Sequence, residues 1–400
     1  MREIDFLIVG GGDAGFSAAR TLREEGASGS VLIVSRDPDP PYDRTAVSKG
    51  YLGGEKSRKD VLLGDAAWYA DNDVELLTRT SAMKLDVEAR TVTLASKEEL
   101  RYGKLLLATG SNVRRLRVDG AALDGIHYLR ALGNADSIRD DTAEGSRVVL
   151  IGGSYIATEV AATLTSIGRR CALVMQEQVT LERGFGATAG EYFQKALTDH
   201  GVQVHPGEDV ARFEGADGRV SAVVTESGLR VECDAVVVGV GVIPDVTLAS
   251  RAGLEIGERG GVLTDSRLAT SAPDVFAAGD IAEYESVVHG GRRLRIEHWD
   301  VAENQGRTAA RNMLGRDVPH DVVPYFFSDL SDWTWMEYVG PALSWDEEIV
   351  RGSIADGEFT IWYVDGSRLA GALAVNRSDD LEVARALLVS GDPVDRDALP

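Results

Sequence analysis

IDFLIVGGGDAG, at residues 4–15, decides the fold of this chain. Its apolar run is typical of a strand that is buried on both faces of a parallel sheet. The turn that follows places Gly10, Gly12 and Gly15 in the spacing Gly-x-Gly-x-x-Gly and opens a segment with helical apolar periodicity. A second apolar run, SVLIVS at residues 30–35, predicts the next strand. This order of strand, glycine loop, helix and strand indicates a dinucleotide-binding unit.

The glycines of the loop have separate roles in such a site. Gly10 permits the tight turn, Gly12 lets the backbone approach a pyrophosphate, and Gly15 lets the helix pack against the strand. Asp13 and Ala14 stand at the start of the helix, where free N–H groups and the helix dipole favour an anion. We therefore expect this loop to bind the phosphates of a dinucleotide.

The same pattern returns in RVVLIGGSYIATEVAATLTSIG, residues 147–168. Its loop reads Gly152-x-Ser154-x-x-Ala157, with alanine as an accepted third residue. Ser154 is a departure, because its Cβ lies where backbone should approach phosphate unless the hydroxyl itself binds the ligand. A duplicated domain with one working loop is the alternative, since glycine loops can be retained for packing. Two working loops are favoured, because a nicotinamide cofactor carries hydride and the second dinucleotide is then its acceptor, FAD.

One acidic residue predicts the choice of nicotinamide cofactor. Glu177 ends the next apolar run, RCALVMQE, 20 residues after Ala157. A carboxylate there can accept hydrogen bonds from both ribose hydroxyls and would repel a 2′-phosphate. We expect NADH to be preferred over NADPH, and Arg183 is the residue most able to soften that preference.

Composition and charge limit the classes of partner. The longest uncharged apolar run, AVVVGVGVI at residues 235–243, is far too short to span a membrane. The net charge of −22 would repel nucleic acid and anionic membranes. The first residues lack the basic region, long apolar region and cleavage site of an export signal, so we expect a cytoplasmic protein.

The cysteine content excludes one redox mechanism. The two cysteines, Cys171 and Cys233, lie far apart in the sequence, each beside an apolar run, which predicts small buried thiols. No Cys-x-x-Cys or Cys-x4-Cys pair exists. Electrons cannot pass through a disulfide of this chain and must leave the flavin directly.

Several further motifs carry a family resemblance. PPYDRTAVSKGYL, at residues 40–52, resembles the P-Y-x-R-P-P-L-S-K-x-x-L stretch of putidaredoxin reductase-like ferredoxin reductases and apoptosis-inducing factor. The other matching segments, in the family's order, are LLLATGS (105–111), VGVIPD (240–245), TSAPDVFAAGD (270–280), RIEHWDVAENQGRTAARNMLG (295–315) and PYFFSDL (324–330). The chain is identified as a member of this family of flavoproteins, and the resemblance covers almost its whole length.

The resemblance implies an α/β fold with two Rossmann-like domains of the glutathione reductase type and a small C-terminal α+β domain. The FAD-binding domain would be discontinuous, at residues 1–112 and 246–320. The NAD-binding domain would occupy 113–245 and the C-terminal reductase domain 321–400. Within the last, FTIWYVDGSRLAGALAVN at 359–376 predicts two strands joined by a tight turn at DGS.

Two residues are implied to form the redox centre, Lys49 near the flavin ring and Glu159 near the nicotinamide. A cation near the flavin stabilises its reduced form. Because buried charges need partners, we expect an ion pair between Lys49 and Glu159 that bridges the two domains. Without the motifs, the alternatives would be a surface lysine and a glutamate at its own helix N-terminus.

The resemblance also implies the cofactor contacts. Those for FAD are Gly10, Gly12, Asp13, Ala14, Gly15, Asp37, Arg44, Lys49, Met83, Ala108, Thr109, Gly110, Arg130, Gly279, Asp280, Glu297, His298 and Phe327. Those for NAD are Gly152, Gly153, Ser154, Tyr155, Ile156, Glu159, Glu177, Arg183, Gly241 and Glu297. No metal site is expected.

Two departures from the family pattern concern the FAD side. Arg36 occupies the position of the acid that would bind the adenosine ribose, so this contact must come from Asp37 or from backbone. Thr45 and Ala46 replace the usual double proline, which is expected to loosen the segment that carries Lys49. We therefore expect FAD affinity to be lower than is typical.

The leading functional hypothesis is an FAD-dependent NADH oxidoreductase that passes electrons to a one-electron acceptor. A [2Fe-2S] ferredoxin serving a cytochrome P450 or an oxygenase is the expected partner. Ferredoxins are usually acidic, so the chain needs a local basic patch, for which Arg292, Arg293, Arg295 and Arg311 are candidates. The alternatives are an NADH-sensing flavoprotein like apoptosis-inducing factor and an NADH:quinone or oxygen reductase. The assembly is expected to be a monomer or a homodimer.

Overall fold

The computed structural model describes all 400 residues, Met1–Pro400. The chain forms 25 short strands, nine α-helices and three 3-10 helices. The strands are β1 Arg2–Val9, β2 Val31–Val34, β3 Val74–Leu77, β4 Ala82–Asp86, β5 Thr91–Leu94, β6 Glu99–Leu107, β7 Ser111–Val113, β8 Ile126–Tyr128, β9 Arg147–Ile151, β10 Arg170–Val174, β11 Gln203–His205, β12 Val210–Ala216, β13 Arg219–Thr225, β14 Arg230–Glu232, β15 Ala235–Val238, β16 Val242–Pro244, β17 Val262–Thr264, β18 Val275–Ala277, β19 Ala282–Ser286, β20 Arg292–Leu294, β21 Tyr325–Leu330, β22 Thr334–Val339, β23 Glu347–Ser353, β24 Glu358–Asp365 and β25 Arg368–Val375. The helices are α1 Asp13–Glu24, α2 Gly50–Gly53, α3 Ala66–Asp71, α4 Leu132–Asp141, α5 Tyr155–Ser166, α6 Glu182–Asp199, α7 Thr247–Arg251, α8 Trp299–Met313 and α9 Asp380–Ser390, and the 3-10 helices are Arg44–Ser48, Gly279–Ile281 and Arg396–Ala398.

The chain divides into two compact units, each assembled from separated segments. The first unit comprises Met1–Arg44, Lys59–Asn112 and Ile243–Pro324. The second comprises Thr45–Arg58, Val113–Val242 and Tyr325–Pro400.

A seven-stranded sheet forms the centre of the first unit. Its order is β3-β2-β1-β6-β5-β4, and β18 pairs with β6. The predicted strands in residues 4–9 and 30–35 are confirmed as β1 and β2, which pair in parallel. Adjacent residues of β1 enter different apolar clusters, Leu7 in one and Ile8 in the other, and both are fully buried. The sheet is therefore covered on both faces, as the continuous apolar run predicts.

Helix α1 begins directly after the first glycine loop and packs closely against α8. Its buried residues include Phe16, Ala19 and Leu22. A Cβ at Gly306 of α8 would lie only 2.3 Å from the backbone oxygen of Ala14. The absence of a side chain at Gly306 is therefore what lets the two helices approach this closely.

The second unit contains its own parallel sheet, in the order β11-β10-β9-β15-β8. The second predicted nucleotide loop connects β9 to α5 at the centre of this sheet. A three-stranded antiparallel sheet, β12-β13-β14, contributes Phe213 and Val223 to a core shared with Val149 and Val174.

A five-stranded antiparallel sheet of order β21-β22-β25-β24-β23 and helix α9 form the C-terminal part of the second unit. The predicted hairpin is confirmed, because Asp365 pairs with Arg368 and leaves the turn to Gly366 and Ser367. The two sheets, in which parallel strands flank the glycine loops, and the antiparallel sheet that follows confirm the predicted α/β fold class.

Two predictions from composition can also be compared with the structure. Both cysteines are free and buried, with Cys171 3% and Cys233 2% exposed, which confirms their interpretation as structural thiols. None of the helices combines the length and the apolar character that crossing a membrane requires.

Candidate functional site

The candidate residues of the first unit meet at the carboxyl edge of the parallel strands in its sheet. Val9 of β1 is in register with Leu107 of β6, and Leu107 with Ala277 of β18. Parallel strands that end level bring the segments after them together at the carboxyl edge, where open α/β sheets bind ligands. The predicted residues found there are Gly10, Gly12, Asp13, Ala14, Gly15, Asp37, Ala108, Thr109, Gly110, Gly279 and Asp280.

The first glycine loop has the geometry of a phosphate cradle. Gly10 has φ 130°, and a Cβ on it would lie 1.9 Å from the backbone oxygen of Ala108. A Cβ on Gly15 would lie 2.0 Å from the backbone oxygen of Gly10. At Gly12 the nearest atom to a Cβ is Nε of Arg44, at 3.7 Å. Gly10 and Gly15 are therefore needed by the fold itself, whereas the space over Gly12 is bordered by a cation.

The N-terminus of α1 next to this space carries a mixed set of charges. Gly12 is the N-cap residue, and no side chain caps the helix. Burial raises the pKa of the Asp13 carboxyl to about 7, while the neighbouring Arg44 opposes the shift and Asp43 and Asp280 add to it. Uncapped N–H groups, a helix dipole and a guanidinium suit a pyrophosphate. This part of the site fits the phosphates of FAD.

Asp37 and Arg36 take different parts in the first unit. The Asp37 carboxylate accepts a hydrogen bond from Tyr42 at 3.0 Å and a longer one from Arg44 at 3.4 Å. Arg36 turns elsewhere and donates to Asp245 at 2.9 Å and to Asn112 at 2.6 Å. The Arg36–Asp245 pair was not foreseen from the sequence, because 209 positions separate its members.

The remaining candidates of the first unit are less closely grouped. Thr109 donates its hydroxyl to the backbone oxygen of Asp245 at 2.7 Å. The backbone N–H of Gly279 donates to buried Gln305 at 2.8 Å. Glu297 pairs with Arg295, and His298 is the N-cap residue of α8. Met83 lies on the outermost strand, β4, with 56% of its surface exposed, and β5 and β6 separate that strand from β1.

Two of the four arginines of the candidate basic patch pair with acidic side chains of the first unit. Arg295 pairs with Glu297 at 2.5 Å, and Arg311 pairs with Glu25 at 2.6 Å. Arg293 donates to the backbone oxygen of Thr264 at 3.1 Å. These partners reduce the net positive field that the sequence cluster alone would produce.

The second glycine loop lies at the carboxyl edge of the second parallel sheet. Gly152 has φ 112°, and a Cβ on it would lie 2.5 Å from the backbone oxygen of Gly239. A Cβ on Gly153 would lie 2.7 Å from the sulfur of Met175. Ser154 is the exposed N-cap residue of α5, and its hydroxyl forms no capping hydrogen bond. The side chain that departs from the motif therefore faces open space at a helix N-terminus, where it suits a phosphate.

Glu177 and Arg183 form an ion pair beside this loop, with 2.7 Å between Oε1 and Nε. Tyr155 and Ile156 open helix α5, and Arg130 follows β8, which runs parallel to β15. Gly241 has φ 92°, and a Cβ on it would have no other atom within 4 Å. The acidic residue at the end of β10, the uncapped helix and the adjacent glycines fit an NADH molecule.

Lys49 and Glu159 form the expected ion pair, with 2.7 Å between Nζ and Oε2. Both side chains are largely buried, 15% and 6% exposed respectively. The predicted pair is therefore confirmed. Its setting differs, because segment Thr45–Arg58 belongs to the second compact unit together with Glu159. The pair lies within one unit and does not bridge the two.

The segment before Lys49 is regular and has buried side chains. Residues Arg44–Ser48 form a 3-10 helix in which Ala46 and Val47 are each 3% exposed. Burial of these side chains packs the segment without the usual prolines. The looser segment and the lower FAD affinity expected from their absence stay predictions. Ser48, next to Lys49, donates its hydroxyl to Glu159 at 2.6 Å.

Strand β21 brings four more side chains to the same place. Ser328 donates to Oε1 of Glu159 at 2.6 Å. The ring of Phe326 lies 4.5 Å from that of Tyr155, and Nζ of Lys49 lies 6.0 Å from the centre of the Phe327 ring. Burial raises the pKa of the Asp329 carboxyl, and Lys49 opposes this shift. Sequence reasoning missed Ser48 and Ser328, although each adjoins a predicted site residue.

Comparisons with known proteins agree with this organisation. The profile of the pyridine nucleotide-disulphide oxidoreductase family matches residues 4–306, and that of the reductase C-terminal family matches residues 325–400. The ferredoxin reductase subunit of 5,5′-dehydrodivanillate O-demethylase from Sphingobium is 35% identical over 400 residues, which are 100% of this chain and 96% of the relative.

Two solved structures are similar over nearly the whole chain. The ferredoxin reductase for the CYP199A2 system of Rhodopseudomonas palustris has a TM-score of 0.94 at 32% identity and covers 99% of this chain and 96% of its own. The covalent putidaredoxin reductase–putidaredoxin complex also gives a TM-score of 0.94, at 31% identity, covering 100% of this chain and 96% of the neighbour. The chain therefore belongs to the pyridine nucleotide-disulphide oxidoreductase family and is an FAD- and NAD(H)-dependent oxidoreductase with a reductase-type C-terminal domain.

Proposed function

We propose that this chain is an NADH-dependent ferredoxin reductase whose acceptor is a [2Fe-2S] ferredoxin of a cytochrome P450 or oxygenase system. The buried Lys49–Glu159 pair, close to the second nucleotide loop in the same helix–strand framework, is the observation that carries the proposal. The names of the relatives support the acceptor class, since they include reductases of demethylase, dioxygenase and P450 systems. The lack of a cysteine pair agrees with direct transfer from flavin to acceptor.

We assign the cofactors to domains on the basis of the two glycine loops. Residues 1–112 and 246–320 form the FAD-binding domain, residues 113–245 the NAD-binding domain, and residues 321–400 the C-terminal domain in this proposal. The carboxyl edge around Gly10, Gly12 and Arg44 holds the FAD phosphates. The edge around Ser154 and Glu177 holds NADH.

The proposed roles of the redox centre follow from its charges. FAD, when bound, accepts two electrons from NADH and can release them one at a time. Lys49 supplies a cation beside the flavin, which favours its reduced form, and Phe327 covers the ring system and excludes water. Glu159 faces the nicotinamide and keeps Lys49 in place. No acid or base on the protein is needed for transfer between the two cofactors.

An anaerobic titration of the FAD-loaded protein with NADH, followed by mixing with a panel of [2Fe-2S] ferredoxins, tests the proposal. We expect full bleaching of the flavin by NADH and rapid reduction of at least one ferredoxin. Slow reduction of every ferredoxin would contradict the proposal that a [2Fe-2S] ferredoxin is the acceptor. If light scattering instead showed that NADH changes the oligomeric state, and the reduced flavin persisted, the results would support an NADH-sensing role in place of a ferredoxin reductase. Rapid turnover with quinones or oxygen alone would indicate a small-molecule reductase.

The salt dependence of this reaction tests how the acceptor is approached. The chain carries a net charge of −22, and two of the four arginines of its candidate basic patch are already paired. An acidic ferredoxin is therefore repelled at long range, and added salt should screen that repulsion and raise the rate. A rate that falls steeply with salt would instead indicate a strong basic docking patch.

A further inference from the structure

The carboxylate of Glu159 is held by more than its lysine. Ser48 donates to Oε2 and Ser328 donates to Oε1, each at 2.6 Å, while Nζ of Lys49 lies 2.7 Å from Oε2. Both serines are themselves buried, 2% and 3% exposed. Each carboxylate oxygen thus has its own hydroxyl donor. Two donors approaching from opposite oxygens fix the rotation of the carboxylate, which one ion pair alone does not do.

The two serines come from different elements that pack on the same face of α5. Tyr155, Glu159 and Thr163 are spaced four residues apart, so they lie one above another on that helix, about 6 Å between neighbours. Residues two apart on one face of strand β21 are separated by a similar distance, about 6.6 Å. Phe326 accordingly meets Tyr155 while Ser328 meets Glu159. The match of helix and strand spacings sets the position of Ser328.

Ser48 is held against the same face of α5 by two hydrogen bonds. Its backbone oxygen accepts the hydroxyl hydrogen of Thr163 at 2.9 Å, and its side chain reaches Glu159. The backbone that carries Lys49 is therefore tied to α5 at two successive turns. Movement of Lys49 relative to Glu159 would break hydrogen bonds that are buried.

The burial of these groups makes each hydroxyl important. A hydrogen bond to a buried charged group contributes more than one between neutral groups, and losing one donor leaves a desolvated oxygen without compensation. If Ser328 lost its hydroxyl, Oε1 would lose a donor while Oε2 kept both Ser48 and Lys49. The carboxylate would then be free to rotate about its remaining contacts.

We propose that Ser48 and Ser328 are positioning residues of the redox centre, which hold the Glu159 carboxylate in the orientation needed for transfer from NADH. The inference rests on the proposed role of Glu159 at the nicotinamide. It also gives the C-terminal domain an indirect part in the transfer between the cofactors, because Ser328 belongs to β21. Neither serine contacts a cofactor in this proposal, and both act through Glu159.

The test is anaerobic stopped-flow reduction of the FAD-loaded protein by NADH, with Ser48→Ala, Ser328→Ala and Ser328→Thr. We expect each alanine variant to lower the limiting rate at saturating NADH by about tenfold, the effect of one charge-assisted hydrogen bond, with a smaller change in the apparent Kd for NADH. Ser328→Thr retains the hydroxyl and should recover most of the rate. Ser137→Ala is the matched control, because exposed Ser137 donates only to the backbone of its own helix, α4.

A second measurement does not depend on catalysis. The thermal unfolding midpoint is compared for Ser328→Ala, Glu159→Ala and the double variant. We expect Ser328→Ala to lower the midpoint in the wild-type background and to have little further effect when Glu159 is absent, as coupled residues do in a double-mutant cycle. Equal losses in both backgrounds would mean that Ser328 stabilises something other than Glu159 and would overturn the inference.

The outcomes separate this inference from the proposed function. If Glu159→Ala slows flavin reduction while both serine-to-alanine variants reduce at the wild-type rate, positioning by the serines is wrong and the role of Glu159 stands. If Glu159→Ala itself reduces at the wild-type rate, the proposed role of Glu159 is wrong and the serine inference falls with it.

Discussion

Nε of Arg183 lies 2.7 Å from Oε1 of Glu177, and the two side chains differ sharply in exposure, 73% for the arginine and 13% for the glutamate. The carboxylate is held at the edge of the sheet, while the guanidinium extends into solvent. The glutamate is therefore the fixed part of the proposed ribose site, and the arginine is the part that can move.

Because the two side chains differ in this way, substitutions of Glu177 and of Arg183 should shift the preference between NADH and NADPH in opposite directions. Glu177→Ala should lower the ratio of kcat/KM for NADH to that for NADPH by at least about tenfold, because repulsion of the 2′-phosphate is lost and Arg183 can pair with it. Arg183→Gln should raise the ratio, because an unpaired Glu177 repels the phosphate more strongly. Steady-state kinetics with both cofactors measures this, and exposed Glu191→Gln on α6 is the control. An unchanged ratio in Glu177→Ala would place the ribose elsewhere.

Variants of the Lys49–Glu159 pair should affect the stability of the protein and its reduction by NADH differently. Lys49→Gln leaves a buried carboxylate without its counter-charge, which costs about 3 kcal/mol or more of the free energy of unfolding. Replacing both residues, as in Lys49→Met with Glu159→Leu, should recover most of that stability, because the buried charges are removed together. Flavin reduction by NADH should remain slow in the double variant. Urea denaturation and stopped-flow absorbance distinguish these effects, and recovery of both properties would exclude a redox role for the pair.

The sequence predicted the elements whose signals are local. The apolar runs before Gly10 and Gly152 predicted β1 and β9, and the glycine spacings predicted where α1 and α5 begin. These features depend on residues within a few positions of one another, where periodicity and turn chemistry are decisive. The resemblance of longer motifs then supplied the Lys49–Glu159 pair, which no local pattern contains.

The contacts that sequence reasoning missed join distant segments. Ser328 and Glu159 are separated by 169 positions, and Ser48 and Glu159 by 111. A single serine beside an apolar residue has no periodic signature, so only the packing of β21 and the 3-10 helix on α5 reveals its partner. The grouping of residues 45–58 with the second unit also depends on such packing. The burial of Ala46 and Val47 cannot be read from the sequence, whereas the fixed φ of a proline can.

Substitutions in the first glycine loop should have two different effects, loss of protein stability at Gly10 and loss of FAD binding at Gly12. Gly10→Ala would place a methyl group 1.9 Å from a backbone oxygen at φ 130°, so it should destabilise the protein even without FAD. Gly12→Ala meets only the flexible end of Arg44, at 3.7 Å, and should leave the unfolding midpoint of the apoprotein nearly unchanged. It should weaken FAD binding, because the methyl group occupies the space proposed for the pyrophosphate. Apoprotein unfolding and a fluorescence titration with FAD measure the two effects. If Gly12→Ala bound FAD as tightly as the wild type, the proposed position of the phosphates at this loop would be wrong.

Asp13 predicts a pH dependence of the stability of the apoprotein. Burial raises the pKa of its carboxyl to about 7, whereas an unfolded aspartate titrates near pH 4, at about 3.9. Between these pH values the folded state binds more protons than the unfolded state, so the free energy of unfolding should fall as the pH rises from about 4 to about 7. Asp13→Asn keeps the shape but cannot ionise. The difference in urea midpoint between wild type and Asp13→Asn should therefore turn in favour of the variant across this window and become constant above it. The exposed Asp71→Asn should instead follow the wild type throughout. A wild-type curve parallel to that of Asp13→Asn would mean that Asp13 ionises in the folded protein as it does in the unfolded chain, and that Arg44 fully offsets its burial.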